Sequence, residues 1–81
     1  MALNEKDIMQ CVAKGLQISL KKINLNSSYK NINKWDSLGH LNILTELDNS
    51  LNGKALKLAG LAKAYSVKEI IKILKTHKLS K

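Results

Sequence analysis

One short segment of this chain, residues 35–41, contains the side chains best suited to chemistry. Within it, Asp36 carries a carboxylate, Ser37 a hydroxyl and His40 an imidazole. Ser37 stands where an amphipathic segment begins, so its hydroxyl is either a helix N-cap or an exposed group beside the helix start. A negative charge placed there would be favoured by ~0.3–1 kcal/mol, because that end of a helix is positive and its N–H groups are unpaired. Asp36 can supply the cap instead, which leaves the Ser37 hydroxyl free for modification.

The other residues of reactive type have plainer interpretations. His40 lies one turn from Ser37 and could reach a group attached there, but a packing or solvent-facing histidine is the simpler interpretation. Cys11 falls on an apolar stripe without an accompanying His and Asp, which favours a small core residue over a nucleophile. A single cysteine forms no internal disulfide, and no cluster of metal ligands is present. We therefore predict no catalytic residues, no metal site and a chain that is not an enzyme.

The elements that must position Ser37 follow from the hydrophobic pattern. A first helix is predicted after Asn4, an N-cap with Glu5 and Asp7 in the first turn. Its buried face should contain Ile8, Cys11, Val12, Gly15 and Leu16. Residues 18–34 show no sustained helical period and are rich in Asn and Ser, which predicts a long loop with a short turn at residues 19–22. The apolar residues expected to pin this loop to the core are Leu20, Ile23, Leu25 and Ile32.

The second helix is predicted to run from Ser37 to about Leu51, and Asn52-Gly53 is its stop signal. Its core stripe is predicted to comprise Leu38, Leu41, Leu44, Leu47 and Leu51, with Ile43 at the flank. Trp35, just before the helix, should anchor the loop against the bundle. The first turn can still leave Leu38 partly exposed.

Two further helices are predicted. Residues 57–63 should form a short helix with Leu58 and Leu61 turned inward. The last helix starts at Ser66, which can form a capping box with Glu69. Its buried face should comprise Val67, Ile70, Ile71 and Leu74, and residues 77–81 are expected to fray. The sequence thus predicts one all-α domain over residues 1–81: a small bundle of three main helices plus one short helix, with a long loop between the first and second helices.

Charge is distributed unevenly along the chain, whose formal net charge is +8 with 14 lysines and no arginine. Residues 36–53 contain no lysine and three carboxylates, those of Asp36, Glu46 and Asp48. A DNA-reading helix would carry Lys or Arg, and Arg supplies the fork used on phosphate and guanine. The pattern therefore favours a protein partner with a basic docking surface over nucleic acid. The alternative is a small basic helical module that binds nucleic acid or an anionic surface through its lysines.

The chain length and the residues near the start bear on the domain size and the cellular location that we expect. A chain of 81 residues supports one small domain without a large catalytic cleft. No apolar stretch is long enough to cross a membrane, and Glu5, Lys6 and Asp7 stand where a signal peptide needs an apolar core. With one cysteine, these features predict a cytoplasmic protein in a reducing setting. We expect a monomer that does not insert into membranes.

The triplet Asp36-Ser37-Leu38, which follows a long loop and opens an amphipathic helix, resembles the acyl carrier protein family. The resemblance covers most of the chain, in the order helix, long loop, Asp-Ser-Leu helix, short helix and final helix. Outside the triplet it also includes Ile23 and Leu25 upstream, and Ser66-Val67 at the start of the last helix.

The resemblance implies that Ser37 carries 4′-phosphopantetheine, derived from coenzyme A, through a phosphodiester, and that the thiol of this arm holds an acyl group as a thioester. It implies a carrier in fatty acid or polyketide biosynthesis, with a phosphopantetheinyl transferase and acyl-loading and acyl-transfer enzymes as partners. Leu38 would help those enzymes dock, and Asp36, Glu46 and Asp48 are the candidate residues for partner recognition.

Two departures from the family pattern bear on the pathway. Carriers of fatty acid synthesis often have acids or a docking methionine at positions occupied here by Asn42, Thr45 and Asn49. The predicted short helix is surrounded by lysines, at 54, 57 and 63. We therefore expect a dedicated or secondary pathway. The residue before Ser37 is Asp, without a Gly-Gly pair, which resembles an acyl more than a peptidyl carrier.

Overall fold

The computed structural model describes residues 3–58 and 60–80, which form three α-helices: α1 (Glu5–Leu16), α2 (Ser37–Ser50) and α3 (Val67–Thr76). Two single 3₁₀ turns, Leu20–Lys22 and Leu61–Lys63, lie in the connections. Strands are absent from these residues, apart from isolated bridges that pair Leu3 with Ser80 and Ser28 with Ser66. The predicted all-α fold with a long loop between the first two helices is confirmed.

The predicted short helix at residues 57–63 is smaller than expected, because only the 3₁₀ turn Leu61–Lys63 forms. Gly60, immediately before it, adopts the left-handed conformation with φ 87°, which no helix continues through. Leu61 is buried, as predicted, but Leu58 is only half-buried. The prediction that both leucines turn inward is therefore only partly correct. Ala59 lies outside the described residues.

α1 begins as predicted. The Asn4 side chain accepts a hydrogen bond from the Asp7 N–H (2.7 Å), and the Asp7 carboxylate accepts one from the Asn4 N–H (3.2 Å). The predicted inner face is buried, namely Ile8, Cys11, Val12, Gly15 and Leu16, together with Ala13. The reciprocal cap and the 3.6-residue period together specify this helix from local sequence.

α1 crosses α2 at a glycine. A Cβ at Gly15 would lie 2.6 Å from both the Cα and the N of Ile43, which is closer than non-bonded atoms pack. The two helix backbones therefore touch here, and the Ile43 side chain is completely buried. This contact fixes the position of the helix that Ser37 opens.

The buried face of α2 is rotated relative to the predicted stripe. The predicted leucines that are buried are Leu44, Leu47 and Leu51. Leu38 and Leu41 are instead 67% and 55% exposed, so their placement in the core was wrong. Ile43 and His40 are buried in their place. Positions 40, 43, 44, 47 and 51 share one side of the helix at steps of three and four, and the crossing at Gly15 selects that side.

The long connection between α1 and α2, residues 17–36, is here called the approach loop. It crosses the start of α3, where the Tyr29 N–H donates to the Tyr65 carbonyl (3.0 Å) and the Val67 N–H to the Ser27 carbonyl (3.0 Å). Of the four predicted pins, Ile23 is buried, Leu20 and Ile32 are half-buried, and Leu25 is 40% exposed. Leu25 is therefore not a core pin.

Ser66 is the N-cap of α3, and its side chain accepts a hydrogen bond from the Glu69 N–H (3.1 Å). The Glu69 carboxylate makes no bond back to the Ser66 N–H within the described residues, so only half of the predicted capping box forms. Its predicted inner face is buried, namely Val67, Ile70, Ile71 and Leu74. Residues 77–80 do not fray as expected, because the Leu79 N–H donates to the Leu74 carbonyl (2.7 Å) and the Leu79 carbonyl accepts from the Leu3 N–H (2.8 Å). Lys81, also predicted to fray, lies outside the described residues.

Candidate functional site

The start of α2 presents Ser37 as an exposed hydroxyl. Asp36 is the N-cap, and its Oδ1 accepts a hydrogen bond from the Gly39 N–H (2.8 Å). Ser37 is therefore the first helical residue, and within residues 3–58 and 60–80 its hydroxyl has no hydrogen-bond partner. Of the two alternatives that the sequence left open for the cap, Asp36 takes it and the Ser37 hydroxyl stays exposed.

Gly39 allows the approach loop to lie directly on the first turn of α2. A Cβ at this position would collide with the carbonyl oxygen of Lys34 and come within 2.7 Å of Leu16 Cδ2. Only glycine fits between the loop and α1. The sequence contained one unused signal for this contact, because a glycine in the first turn of a helix lowers helix propensity and needs a packing reason.

Trp35 and His40 join the end of the approach loop to α2. The Trp35 indole N–H donates to His40 Nδ1 (3.0 Å), and since an indole nitrogen is only a donor, the proton of His40 is on Nε2. Nε2–H then donates to the carbonyl of Leu61 (3.0 Å). Both side chains are 3% exposed. The predicted anchoring role of Trp35 is confirmed.

His40 is a neutral packing residue. Burial lowers its pKa below the ordinary value of 6.5, and the hydrogen bond to the Leu61 carbonyl opposes that effect only in part. Its ring packs 4.4 Å from that of Tyr65, centroid to centroid. Both ring nitrogens are engaged, so His40 does not face a group on Ser37. Of the two plain interpretations, packing is correct and the solvent-facing one is wrong.

The three carboxylates of residues 36–53 serve different contacts. Asp36 caps α2, while Asp48 Oδ1 accepts hydrogen bonds from the N–H groups of Ala55 and Leu56 (3.1 Å each). Glu46 is half-buried and faces α1 beside Cys11. Glu46 and Asp48 flank opposite sides of the exposed face of α2, and Asp36 lies about 15 Å along the helix axis from Glu46. The structure therefore does not gather them into one acidic patch, and their role in partner recognition stays a prediction.

The exposed face of α2 is uncharged in its middle. Leu38 and Leu41 are the exposed hydrophobic residues of α2, and its other exposed positions after Ser37 are Asn42, Thr45 and Asn49. An apolar side chain in contact with water beside a modifiable hydroxyl is suited to a protein contact. The core stripe was wrong for both leucines, and only the expectation that the first turn leaves Leu38 partly exposed agrees with the structure.

Cys11 is a core residue, as predicted. It is 5% exposed, and burial raises the pKa of its thiol, with the hydrogen bond to Ser50 opposing that effect. Its Sγ lies 3.5 Å from Ser50 Oγ. A buried thiol with a raised pKa is a poor nucleophile, because the thiolate is the reactive form.

Two features are absent from the part of the chain that the structure describes. No group of three or more His, Cys, Asp or Glu side chains is placed to bind a metal ion. No helix is long and apolar enough to cross a membrane.

Ser37 is thus the only residue of the predicted site that combines exposure, a reactive group and a position at a helix start, among the residues described. Leu38 adjoins it, whereas His40 and Cys11 are structural.

In comparisons with known proteins, no family model, curated protein or solved structure matches this chain, so its function is inferred from the site itself.

Proposed function

We propose that this chain is an acyl carrier protein whose Ser37 is the attachment site of 4′-phosphopantetheine. The observation that carries the proposal is the exposed hydroxyl of Ser37 at the first position of α2, left unbound because Asp36 performs the cap. In this arrangement the protein has no catalytic residues of its own. It presents a covalently attached acyl group to other enzymes.

The residues at the start of α2 fit a phosphodiester. The N–H groups of Ser37 and Leu38 lie in the first turn and have no partner within the helix. Together with the helix dipole they favour an adjacent negative charge by ~0.3–1 kcal/mol at an exposed site. The attached arm would supply a terminal thiol that holds an acyl group as a thioester, a more reactive acyl donor than a carboxylic acid.

Partner enzymes would meet the molecule at the exposed face of α2. Leu38 and Leu41 supply apolar contact beside Ser37, and Asp36, Glu46 and Asp48 supply the negative charge of this region. The expected partners are a phosphopantetheinyl transferase and enzymes that load and transfer the acyl group. Because the middle of this face is uncharged, we place the carrier in a dedicated or secondary pathway and not with the general fatty acid enzymes.

The test is modification with coenzyme A and a broad-specificity phosphopantetheinyl transferase, followed by intact-mass measurement and peptide mapping. We expect one phosphopantetheine, on Ser37 alone, and none on the Ser37→Ala variant. Ser66→Ala is the matched control, because Ser66 also stands at a helix start but its hydroxyl is engaged as the cap. That variant should be modified like the wild type. Modification at Ser66, or none where a known carrier reacts, would exclude the proposal.

A second candidate is supported by the exposed face of α3. Lys68, Lys72 and Lys75 are exposed and lie one turn apart on that face, while residues 36–53 contain no lysine. This stripe suits a phosphate backbone or another anionic surface. Binding to arbitrary duplex DNA that weakens steeply with salt, in a chain that the transferase does not modify, would favour this function over a carrier.

A further inference from the structure

A groove of about 480 Å³ runs along α3, between that helix, the start of α1 and the approach loop. It is here called the basic groove. The residues that define its character are Glu5, Leu25, Lys68, Ile71, Lys72 and Lys75. Neither Ser37 nor the exposed leucines of α2 line it, so this surface is distinct from the candidate site at the start of α2.

Three exposed lysines form one side of the basic groove. Lys68, Lys72 and Lys75 follow one another at steps of four and three residues, so they lie in a single stripe that extends ~10.5 Å along the helix axis. No carboxylate of the described residues forms an ion pair with any of them. The positive charge of the stripe is therefore available to another molecule.

The lysine stripe does not stabilise α3. Like charges three and four residues apart repel each other on a helix. Lys68 also lies in the first turn, where the helix dipole disfavours a cation. Carboxylates supplied by a bound molecule would relieve both unfavourable interactions.

The basic groove also has an apolar part. Leu25 of the approach loop lines it and is 40% exposed, although its apolar character had suggested a place in the core. Ile71 of α3 lines it as well and is 7% exposed. An apolar side chain of a bound molecule that packs on these two residues would remove the Leu25 side chain from water.

This mixed lining favours a protein segment over a nucleic acid or a lipid surface. A phosphate backbone would use the lysines but not the exposed leucine. Glu5 is exposed on the opposite wall, and its carboxylate would repel the continuous negative charge of a nucleic acid or an anionic membrane. A protein segment can place carboxylates opposite the lysines and a neutral or basic residue opposite Glu5.

We infer that the basic groove binds an acidic amphipathic helix of a partner protein. Carboxylates spaced four and three residues apart on that helix pair with Lys68, Lys72 and Lys75, and an adjacent apolar side chain packs on Leu25 and Ile71. A helix laid into a groove is a common mode of protein recognition, and complementary charge fixes its register. The inference does not require Ser37 to be modified.

The chain would then have two binding surfaces of different character. Residues 36–53 contain three carboxylates and no lysine, whereas the exposed face of α3 presents the lysine stripe. A helix seated in the basic groove contacts none of the residues at the start of α2. A partner bound at α3 could therefore hold the chain while Ser37 remains accessible to another protein.

The experiment titrates the ¹⁵N-labelled full chain with a synthetic helical peptide that has Glu at positions i, i+4 and i+7 and Leu beside that stripe. We expect amide shift changes at Leu25, Ile71 and the lysine stripe. Lys72→Gln should weaken the affinity about threefold, as expected for one exposed ion pair. Leu25→Ala should weaken it about fivefold through the lost apolar contact.

Two matched variants control for charge and apolar surface in general. Lys57→Gln removes the same charge and Leu56→Ala a similar exposed side chain, but neither residue lines the basic groove. Both variants should bind the peptide like the wild type. Lys72→Arg keeps the charge and should retain the affinity, and a loss of affinity in this variant, folded by circular dichroism, would contradict the ion pair.

The remaining outcomes decide between the partner classes. A peptide of the same composition with its Glu residues in scrambled order should bind more weakly, and equal binding would overturn the inference. Absence of binding, or shift changes confined to other surfaces, would do the same. Tighter binding of duplex DNA or of phosphatidylserine vesicles at the lysine stripe, unaffected by Leu25→Ala, would assign the basic groove to that ligand instead.

Discussion

The starts of α2 and α3 each contain a serine, and the molecule uses them in opposite ways. Ser66 is the N-cap of α3 and its hydroxyl is bound to the Glu69 N–H, whereas Ser37 follows the cap of α2 and its hydroxyl is exposed. The difference is one residue of register. An Asp immediately before the helix takes the capping bond, and the serine after it becomes available for chemistry.

The two helix starts also differ in how the approach loop meets them. At α3 the loop is held by backbone bonds, from Tyr29 to Tyr65 and from Val67 to Ser27. At α2 it lies against Gly39 with no room for a side chain. The approach loop thus meets α2 by close steric packing and meets the start of α3 by backbone hydrogen bonds.

The largest effect on stability is expected from Gly39→Ala. The added Cβ collides with the Lys34 carbonyl and Leu16, and relieving that overlap should lower the free energy of unfolding by about 3 kcal/mol. The matched control is Glu69→Ala, at the same position relative to the cap of α3. Glu69 is exposed, so this change should stay within about 0.5 kcal/mol. Urea denaturation measures both variants. Equal decreases in their free energy of unfolding would contradict the close packing of the approach loop on Gly39.

Trp35→Phe tests the bond that only the start of α2 has. The change leaves the buried Nδ1 of His40 without its donor, which should reduce the free energy of unfolding by about 2 kcal/mol. Tyr65→Phe is the control, because it alters a ring that packs on His40 without removing a bond to it. An unchanged midpoint for Trp35→Phe in thermal denaturation would show that the bond contributes nothing.

The burial of His40 predicts a pH dependence of stability. Burial lowers the pKa of His40 in the folded chain, so below about 6.5 the unfolded chain binds the extra proton first. The contribution of the neutral His40 to the free energy of unfolding is complete above pH 6.5, and it is lost as the pH falls from there through the lower pKa of the folded chain. In His40→Gln, the free energy of unfolding should change less with pH than in the wild type, as measured by denaturation at a series of pH values from 7.5 to 5. A His77→Gln variant, which changes an exposed histidine, should keep it.

Capping gives the next effect in size. Asp36→Ala and Ser66→Ala each remove a side-chain cap and should each lower the free energy of unfolding by about 1 kcal/mol. Ser37→Ala removes no cap and should stay within about 0.5 kcal/mol. A loss for Ser37→Ala as large as that for Ser66→Ala would show that Ser37 is a structural serine after all.

The smallest effect on stability is expected at Leu38. Its side chain is 67% exposed, so Leu38→Ala should change stability by less than about 0.5 kcal/mol, while the initial rate of modification at Ser37 falls because an apolar docking contact is lost. Leu56→Ala is the control, as Leu56 is 58% exposed but lies beyond the far end of α2. Equal rates for the two variants would remove Leu38 from the docking surface.

Local sequence alone was sufficient wherever a cap or a period determined the structure. The N-caps at Asn4 and Ser66, the inner faces of α1 and α3, and the long loop all appear as predicted, and Asp36 is one of the two caps that the sequence offered for α2. The exposure of the Ser37 hydroxyl is also determined locally, since it depends on the identity of the preceding residue. The physical reason is that caps and helix periodicity act over three or four residues, and the sequence contains all of that information.

Other features were decided only by tertiary contacts. The side of α2 that faces the core was set by the close crossing of Gly15 with Ile43, which exposed Leu38 and Leu41. The predicted short helix lost most of its length at the left-handed Gly60. His40 was buried because Trp35 and Leu61, distant from each other in the chain, both bond to it. An amphipathic pattern limits which side of a helix is buried, but backbone contact and hydrogen-bond partners from other segments choose among the sides that remain, and these depend on the fold as a whole.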